Sequence, residues 1–273
     1  MRLERYKYLI MKKTLIFGAF AAFILMSASC GRKTEPDNQN QLLLATAWYQ
    51  QSAEMRACYY QAYHMAQLAL DNNLLNYKGD KRPAVVLDID ETVLDNSPFE
   101  AGLLAANQSY SDSLWKVWTD RAEAAALPGA AEFISYARQK GVDVFFISNR
   151  RDEERATTLQ NLAAAGMPTD SAFLLTIAPG ESSCKDSRRE KVSETHEILL
   201  FVGDNLGDYS SLFDRRNSGL ALTLADSLQN DFGTRFIVLP NPMYGEWENA
   251  IYRAKGAKSR SDKNKAILER LKL

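Results

Sequence analysis

Two aspartates separated by one residue follow a short apolar run, and their spacing could bring two carboxylates to one reactive centre. The run is residues 84–87 (AVVL), and Asp88 and Asp90 come directly after it. A continuous apolar run with two adjacent β-branched valines predicts a buried strand. Charged groups are costly to bury unless they are paired or bind a cation, so we expect both carboxylates at the end of the strand. There they could bind Mg²⁺ through oxygen, and one of them could attack phosphorus to give an aspartyl-phosphate.

Polar side chains also follow two later apolar runs, residues 142–147 and 198–202, which are predicted as strands. The polar residues that follow these strands or lie between them are Ser148, Asn149, Arg150, Lys185, Asp204 and Asp208. Each could be an ordinary turn or surface residue by itself. The carboxyl ends of parallel strands meet at one edge of a sheet, where α/β proteins bind their ligands. The joint pattern therefore predicts one site that combines carboxylates, a hydroxyl and a lysine.

The elements between these residues predict the fold class. Helices are predicted over residues 42–75, 130–140 and 153–165, and a further strand over residues 235–239. Strands that alternate with helices indicate βαβ units, which form a parallel sheet with helices on both faces. We therefore expect an α/β protein.

These motifs resemble the signature of the haloacid dehalogenase (HAD) superfamily. Residues 88–94 (DIDETVL) are similar to its first motif, Ser148 to the second, Lys185 to the third, and Asp204 with Asp208 to the fourth. The longer runs DIDETVLDNSP and GDNLGD resemble class C acid phosphatases of the bacterial lipoprotein e type. The resemblance implies an HAD-like, Rossmann-like sheet with a smaller helical cap domain, and a phosphoric monoester hydrolase activity.

The resemblance also implies roles for the acidic residues. Asp88 would attack phosphorus, and Mg²⁺ would be bound by Asp88, Asp204 and the backbone carbonyl of Asp90. Asp90 would donate a proton to the leaving group and later accept one from water. Asp208 would orient Lys185 or a metal-bound water.

The remaining site residues would handle the phosphoryl group and the rest of the substrate. Lys185 would place a positive charge near the phosphoryl group, and Ser148 would bind its oxygens. Asn149 and Arg150 are expected to contact substrate. Arg189 is as well explained by a structural salt bridge as by a role in the site.

The resemblance divides the chain into a core and a cap. The HAD-like core is expected over residues 79–94 and 128–255, with a cap insertion over 95–127 that packs with N-terminal helices in 42–78. Residues 256–273 are expected to form a basic C-terminal helix or tail.

The predicted substrate is a small phosphomonoester, most plausibly a 5′-nucleotide. Trp115 and Tyr244 could stack on a nucleobase at the mouth of the site, although packing within the cap would also explain them. A formal net charge of −1 gives no electrostatic reason to expect a nucleic acid polymer as partner. Two alternatives stay open, a non-catalytic surface lipoprotein that binds a ligand such as haem, and an HAD phosphotransferase.

The N-terminus is typical of an exported lipoprotein. Two lysines, the apolar residues 15–26 and a small-residue stretch before Cys30 predict a signal peptide over residues 1–29. The sequence at Cys30 resembles a lipobox, which implies lipidation of that cysteine and a membrane anchor. Residues 30–41 are expected to be a flexible tether. The predicted location is the bacterial cell envelope, as an outer-membrane lipoprotein that faces the periplasm or the surface.

Two further cysteines, Cys58 and Cys184, have no spacing pattern that establishes a disulfide. Burial of both as small apolar residues is the favoured interpretation.

Overall fold

Seven strands account for the β-structure of the described part of the chain. The computed structural model describes residues 38–215, 218–257 and 259–272. The strands are β1 (Arg82–Leu87), β2 (Leu94–Asp95), β3 (Ala125–Ala126), β4 (Asp143–Arg151), β5 (Leu174–Ile177), β6 (His196–Gly203) and β7 (Phe236–Val238). Five of them form one parallel sheet in the order β5-β4-β1-β6-β7. The short strands β2 and β3 pair antiparallel beside it.

Ten helices surround these strands in the described residues. They are α1 (Asn38–Gln51), α2 (Ala53–Asn76), α3 (Ser97–Ala105), α4 (Asp112–Thr119), α5 (Ala130–Gln139), α6 (Arg155–Ala164), α7 (Asp186–Thr195), α8 (Ser218–Ser227), α9 (Glu246–Lys255) and α10 (Arg260–Leu268). The alternation of strands and helices confirms the predicted α/β class with a parallel sheet.

Packing on both faces of the sheet explains why residues 84–87 of the central strand β1 are all apolar. Val85 and Leu87 point into the larger core, where α2 and α5 pack, while Ala84 and Val86 point into a second core on the opposite face. Successive side chains of a strand alternate between faces, so a strand that is covered on both sides must be apolar at every position. The helices on both faces of the sheet match the prediction.

Two features of the sheet differ from the expectation. Strand β4 was predicted to end at residue 147, but it continues to Arg151 with Ser148 and Arg150 buried and Asn149 exposed. The extension pairs Arg151 with Ile177 of β5 beyond a shift in register. Strand β5 is not predicted from the sequence, and it has only four residues at the edge of the sheet.

The two helices of the N-terminal segment 42–78 pack against different parts of the protein. Helix α1 packs against α3 of the insertion. Helix α2 instead lies along the sheet and α5, and its Tyr59, Tyr63 and Leu70 belong to the larger core. The insertion itself contains α3, α4 and the β2–β3 pair.

Several N-terminal predictions fall outside the described residues, namely the signal peptide, lipidation of Cys30 and the first part of the tether. No helix within the described ranges is long and apolar enough to cross a membrane. The expected burial of both cysteines is wrong, because Cys58 is exposed and Cys184 is half-buried. Both are free thiols. Cys58 lies on the outer face of α2, where α-helical periodicity turns its side chain away from the sheet.

Candidate active site

Three carboxylates converge at the carboxyl edge of the sheet. Asp88 follows β1 and Asp204 follows the neighbouring strand β6, and the Asp88 backbone N–H donates to the carbonyl of Val202 at 3.0 Å. Asp208 lies one turn further, in a 3₁₀ turn that begins after Asn205. One oxygen from each of the three aspartates lies within 4.8 Å of the others. Carboxylate oxygens at this spacing suit a hard divalent cation such as Mg²⁺.

Gly203 makes this arrangement of aspartates possible. It is the last residue of β6, and a Cβ atom at this position would overlap with the Asp208 carboxylate. The side chain of Asp208 also accepts from the backbone N–H of Asn205 at 3.0 Å, which closes the turn. The glycine therefore lets the turn fold back onto the end of its own strand.

Lys185 lies between two of these carboxylates. Its Nζ is 2.5 Å from Asp88 Oδ1 and 2.7 Å from Asp208 Oδ1, and its side chain is buried. Burial alone would lower the pKa of Lys185, but the Asp208 and Asp88 carboxylates outweigh it and raise the pKa. Lys185 is therefore a permanent cation, and Asp208 fixes its position beside Asp88.

The carboxylates carry more negative charge than this lysine offsets. Burial, which Lys185 opposes and the neighbouring aspartates reinforce, raises the pKa of Asp88 to about 7. Burial, followed by the Asp208 and Asp88 charges, also raises the pKa of Asp204 well above its ordinary value. Because Asp88 and Asp204 converge here and Asp208 is engaged by the one lysine, the remaining carboxylate oxygens fit a divalent cation.

The Asp90 side chain is held by Arg150, on the neighbouring strand β4, and by Asn96. Arg150 Nε and Nη2 donate to Asp90 Oδ1 at 3.0 and 2.8 Å, and Asn96 Nδ2 donates to the same oxygen at 2.9 Å. The Arg150 side chain is only 1% exposed, and its Nη1 also donates to Thr158. Arg150 was expected to contact substrate, whereas its guanidinium has these protein partners. Ser148 Oγ lies 3.5 Å from Asp90 Oδ2.

Asn96 connects Asp90 to the cap insertion. As the N-cap residue of α3 it makes no side-chain cap bond. Its Oδ1 instead accepts from Trp118 Nε1 at 2.8 Å, while its amide nitrogen holds Asp90. The insertion is thereby linked to the loop that follows β1.

Two neighbouring arginines on α7 contact different parts of the site. Arg188, which sequence reasoning missed, is buried and donates to the Ser148 carbonyl at 2.5 Å and to Asn149 Oδ1 at 2.9 Å. Arg189 pairs with Asp186 and donates to the carbonyls of Gly207 and Asp208. Arg189 therefore makes structural contacts. Arg188 instead contacts Ser148, the residue similar to the second HAD motif, and its neighbour Asn149.

Asn241 is a further residue that sequence reasoning missed as a site residue. Its Nδ2 donates to Asp204 Oδ2 at 2.9 Å, and its Oδ1 accepts from the backbone N–H of Met243 at 2.9 Å. It lies between two prolines after β7, and this rigid turn is a signal in the sequence that could have drawn attention to it.

The aspartates and Lys185 lie in the floor of a cleft of about 1330 Å³. Asn149, Trp115 and Tyr244 contribute to its walls, as does the half-exposed Trp247. The Trp115 ring packs edge-on against Phe99 at 5.3 Å, and the Arg150 guanidinium carbon lies 5.6 Å from its centroid. The cleft therefore joins a charged floor to an aromatic wall.

Comparison with known proteins gives a consistent result. Residues 27–247 match the model of the HAD superfamily, subfamily IIIB (acid phosphatase). The class C acid phosphatase from Bacillus anthracis has a similar structure, with a TM-score of 0.81 and 42% identity over 86% of this chain and 98% of that one. A second structure of it, with tungstate bound, matches at 41% identity with the same TM-score and coverage.

Relatives from plants match a shorter part of this chain. Acid phosphatase 1 from Solanum lycopersicum is 27% identical over 169 residues, 60% of either chain. A stem 31 kDa glycoprotein from Glycine max is 27% identical over 164 residues, 58% of either chain. The chain thus spans about three fifths of the length of these curated relatives.

Proposed function

The chain belongs to the HAD superfamily, subfamily IIIB (acid phosphatase), and on that premise we propose that it hydrolyses small phosphomonoesters in the presence of Mg²⁺ through a phospho-aspartate intermediate. The observation that carries the proposal is the meeting of Asp88, Asp204 and Asp208 with Lys185 at the floor of one cleft. A relative that binds tungstate, a tetrahedral oxyanion like phosphate, supports it.

In the first step, the Asp88 carboxylate attacks phosphorus, an O–P bond forms and the bond to the leaving oxygen breaks. A phosphate dianion repels a carboxylate, so attack requires positive charge beside both groups. Lys185, 2.5 Å from Asp88, supplies one such charge. Mg²⁺, held by Asp88, Asp204 and the backbone carbonyl of Asp90, would supply the other when bound. Ser148 and Asn149 would bind phosphoryl oxygens or the adjoining part of the substrate.

Asp90 acts as the proton carrier. It gives its proton to the leaving oxygen, and in the second step takes one from the water that attacks the phospho-aspartate. That attack breaks the bond between phosphorus and Asp88 and releases inorganic phosphate. Arg150 and Asn96 hold Asp90 in position, so Arg150 is a positioning residue in this proposal rather than a substrate ligand.

The substrate class that suits the cleft best is the nucleoside 5′-monophosphate. Trp115 and Tyr244 offer ring surfaces in the wall above the charged floor. Stacking of a base on such a ring contributes about 1–3 kcal/mol and tolerates different bases. The aromatic wall therefore supports nucleotides over phosphate esters without a ring.

Replacement of the nucleophile tests the reaction. Asp88→Asn should lower kcat for AMP and p-nitrophenyl phosphate by about 10⁴-fold or more, because the amide oxygen is a far weaker nucleophile. The matched control is Asp226→Asn on the exposed face of α8, which should keep wild-type activity. Released phosphate is measured with Mg²⁺ and with a chelator, and an added alcohol acceptor reveals any phosphoryl transfer. Undiminished turnover in Asp88→Asn would refute the proposal.

We propose in addition that the chain is exported and anchored in the cell envelope by lipid on Cys30. The support is the sequence around Cys30 and the polar stretch that follows it. Expression with a radiolabelled fatty acid should label the wild-type protein, and Cys30→Ala should lose the label and leave the membrane fraction. The control is Cys58→Ala, because that exposed cysteine lies within α2. A labelled Cys30→Ala variant would contradict the anchor.

A further inference from the structure

Glu100 is a buried carboxyl in the wall of the cleft. It lies in the first turn of α3 and is only 8% exposed. No hydrogen bond or ion pair from the residues that the structure describes reaches its carboxyl. Burial of a polar group without a partner is costly, and a charged group costs more. Because Glu100 lines the cleft, its carboxyl is accessible to a partner that enters the cleft.

A second carboxyl, on another element, lines the same cleft as Glu100. Glu248 lies on α9, lines the same cleft and accepts a hydrogen bond from the Tyr252 hydroxyl. Burial and the nearby Glu248 charge raise the pKa of Glu100 to about 7. The insertion and the C-terminal helices thus each contribute one acidic side chain.

The nearby cations have other partners. Arg253 pairs with Glu246, and the Lys263 ammonium lies 4.6 Å from the ring centroid of Tyr252. Lys185 at the floor is engaged by Asp88 and Asp208. Glu100 and Glu248 thus have no ion pair within the described residues, whereas the floor carboxylates Asp88 and Asp208 pair with Lys185.

We propose that Glu100 and Glu248 form an acidic subsite for the leaving group, which accepts hydrogen bonds from its N–H donors and disfavours a second anionic group. The inference rests on the proposed phosphatase function and adds a rule for its substrates. A carboxylate attracts an N–H donor or an ammonium and repels another carboxylate or phosphate. The adjacent aromatic wall, with Trp115 and Tyr244, would hold the ring that carries the donor.

Three matched substrates test the rule, namely phenyl phosphates with a methyl, an aminomethyl or a carboxyl group at the para position. The aminomethyl and carboxyl compounds have similar leaving-group acidities but opposite charges. At about pH 8, where the Glu100 carboxyl is ionised, the wild-type kcat/KM should be about tenfold or more higher for the aminomethyl compound. Glu100→Gln, which keeps the shape of the side chain, should reduce that ratio at least fivefold. Glu248→Gln should reduce it in the same direction and provides a second variant.

The matched control is Glu132→Gln, an exposed position on α5 outside the cleft, which should keep the wild-type ratio. A second pair of substrates identifies the hydrogen-bond donor. It consists of AMP and purine riboside 5′-monophosphate, which lacks the exocyclic amino group of AMP. An AMP preference that Glu100→Gln removes assigns it to the nucleobase. An unchanged nucleotide ratio together with a changed aryl ratio assigns it to an ammonium group.

Two negative results are distinguishable. If the wild type turns over the methyl compound and both glutamine variants keep the wild-type charge ratio, the acidic subsite is refuted and the phosphatase function stands. If the wild type hydrolyses none of the substrates with Mg²⁺, the proposed function fails, and the subsite fails with it.

Discussion

Arg150 and Asp90 form a geometrically specific pair at the centre of the site. The guanidinium is buried, and two of its nitrogens donate to one carboxylate oxygen of Asp90. A third nitrogen is anchored on Thr158 of α6. The planar fork of an arginine fixes a carboxylate in orientation as well as in distance, which a lysine cannot do. In the proposed mechanism, this contact would orient Asp90 for proton transfer before the substrate binds.

Arg150→Lys should therefore lower kcat more than it raises KM. A misplacement of about 1 Å costs about 10²-fold in rate, so we expect kcat to fall by 10- to 100-fold. The matched control is Arg151→Lys, because this neighbouring side chain is exposed and pairs with the exposed Asp112 rather than with Asp90. Steady-state kinetics with AMP measure both variants, and Mg²⁺ titrations should give similar affinities. Equal kcat in Arg150→Lys and the wild type would show that the pair does not position Asp90.

The sequence predicts residue types at the site better than it predicts partners. Asp88 and Asp204 follow from motifs at strand ends and Lys185 from its resemblance to the third HAD motif, and the structure brings them together. The pairing of Arg150 with Asp90 spans 60 positions. No local spacing reveals a contact of that kind, because it depends on the register of β4 against β1.

At the scale of elements, helix α2 supports the loop that carries the aspartates. The Tyr59 hydroxyl donates to the carbonyl of Glu91 at 2.5 Å, and the Tyr63 hydroxyl donates to the carbonyl of Thr92 at 2.7 Å. Glu91 has a φ of 54°, in the left-handed region that a side chain adopts at a cost of about 1 kcal/mol. The two buried tyrosines therefore stabilise a turn that would otherwise be unfavourable.

Tyr63→Phe should lower the free energy of unfolding by about 1–3 kcal/mol, because the buried Thr92 carbonyl loses its donor. The control is Tyr60→Phe on the exposed face of the same helix, whose hydroxyl contacts only Arg56 and whose loss should cost less than about 0.5 kcal/mol. Urea denaturation followed by circular dichroism measures both. If the two variants were equally stable, α2 would not support the loop through this bond.

The burial of each strand explains which strands can be predicted from the sequence. Strands β1, β4 and β6 are covered on both faces, and each contains a continuous apolar stretch, namely residues 84–87, 144–147 and 198–202. Strand β5 lies at the sheet edge, has four residues and buries only alternate ones. A short run that is partly exposed resembles a loop in a single sequence, so β5 was missed for a physical reason.

At the scale of the whole molecule, the buried aspartates of the site lower the stability of the fold as the pH rises. A carboxyl whose pKa is raised on folding binds its proton more tightly in the native state than in the unfolded state. Stability then falls as the pH rises from the unfolded value to the folded one. Asp88, with a pKa raised to about 7 by burial, and Asp204, raised for the same reason, both have this sign. Without a cation, the protein should therefore lose stability between about pH 4 and pH 7.

Mg²⁺ should reverse this loss, because it binds the deprotonated carboxylates of the native state only. Saturation at about 100 times Kd contributes about 2.7 kcal/mol, or roughly 5–10 °C in Tm for a protein of this size. The shift should be large at pH 8 and small at pH 5, where protons compete for the same oxygens. Thermal denaturation over this pH range, with Mg²⁺ and with chelator, measures it. Asp204→Asn should abolish most of the shift at pH 8, whereas the exposed Asp226→Asn should retain it. An equal shift at pH 5 and pH 8 would mean that the buried aspartates are not the ligands, since a site that releases no protons has no reason to depend on pH.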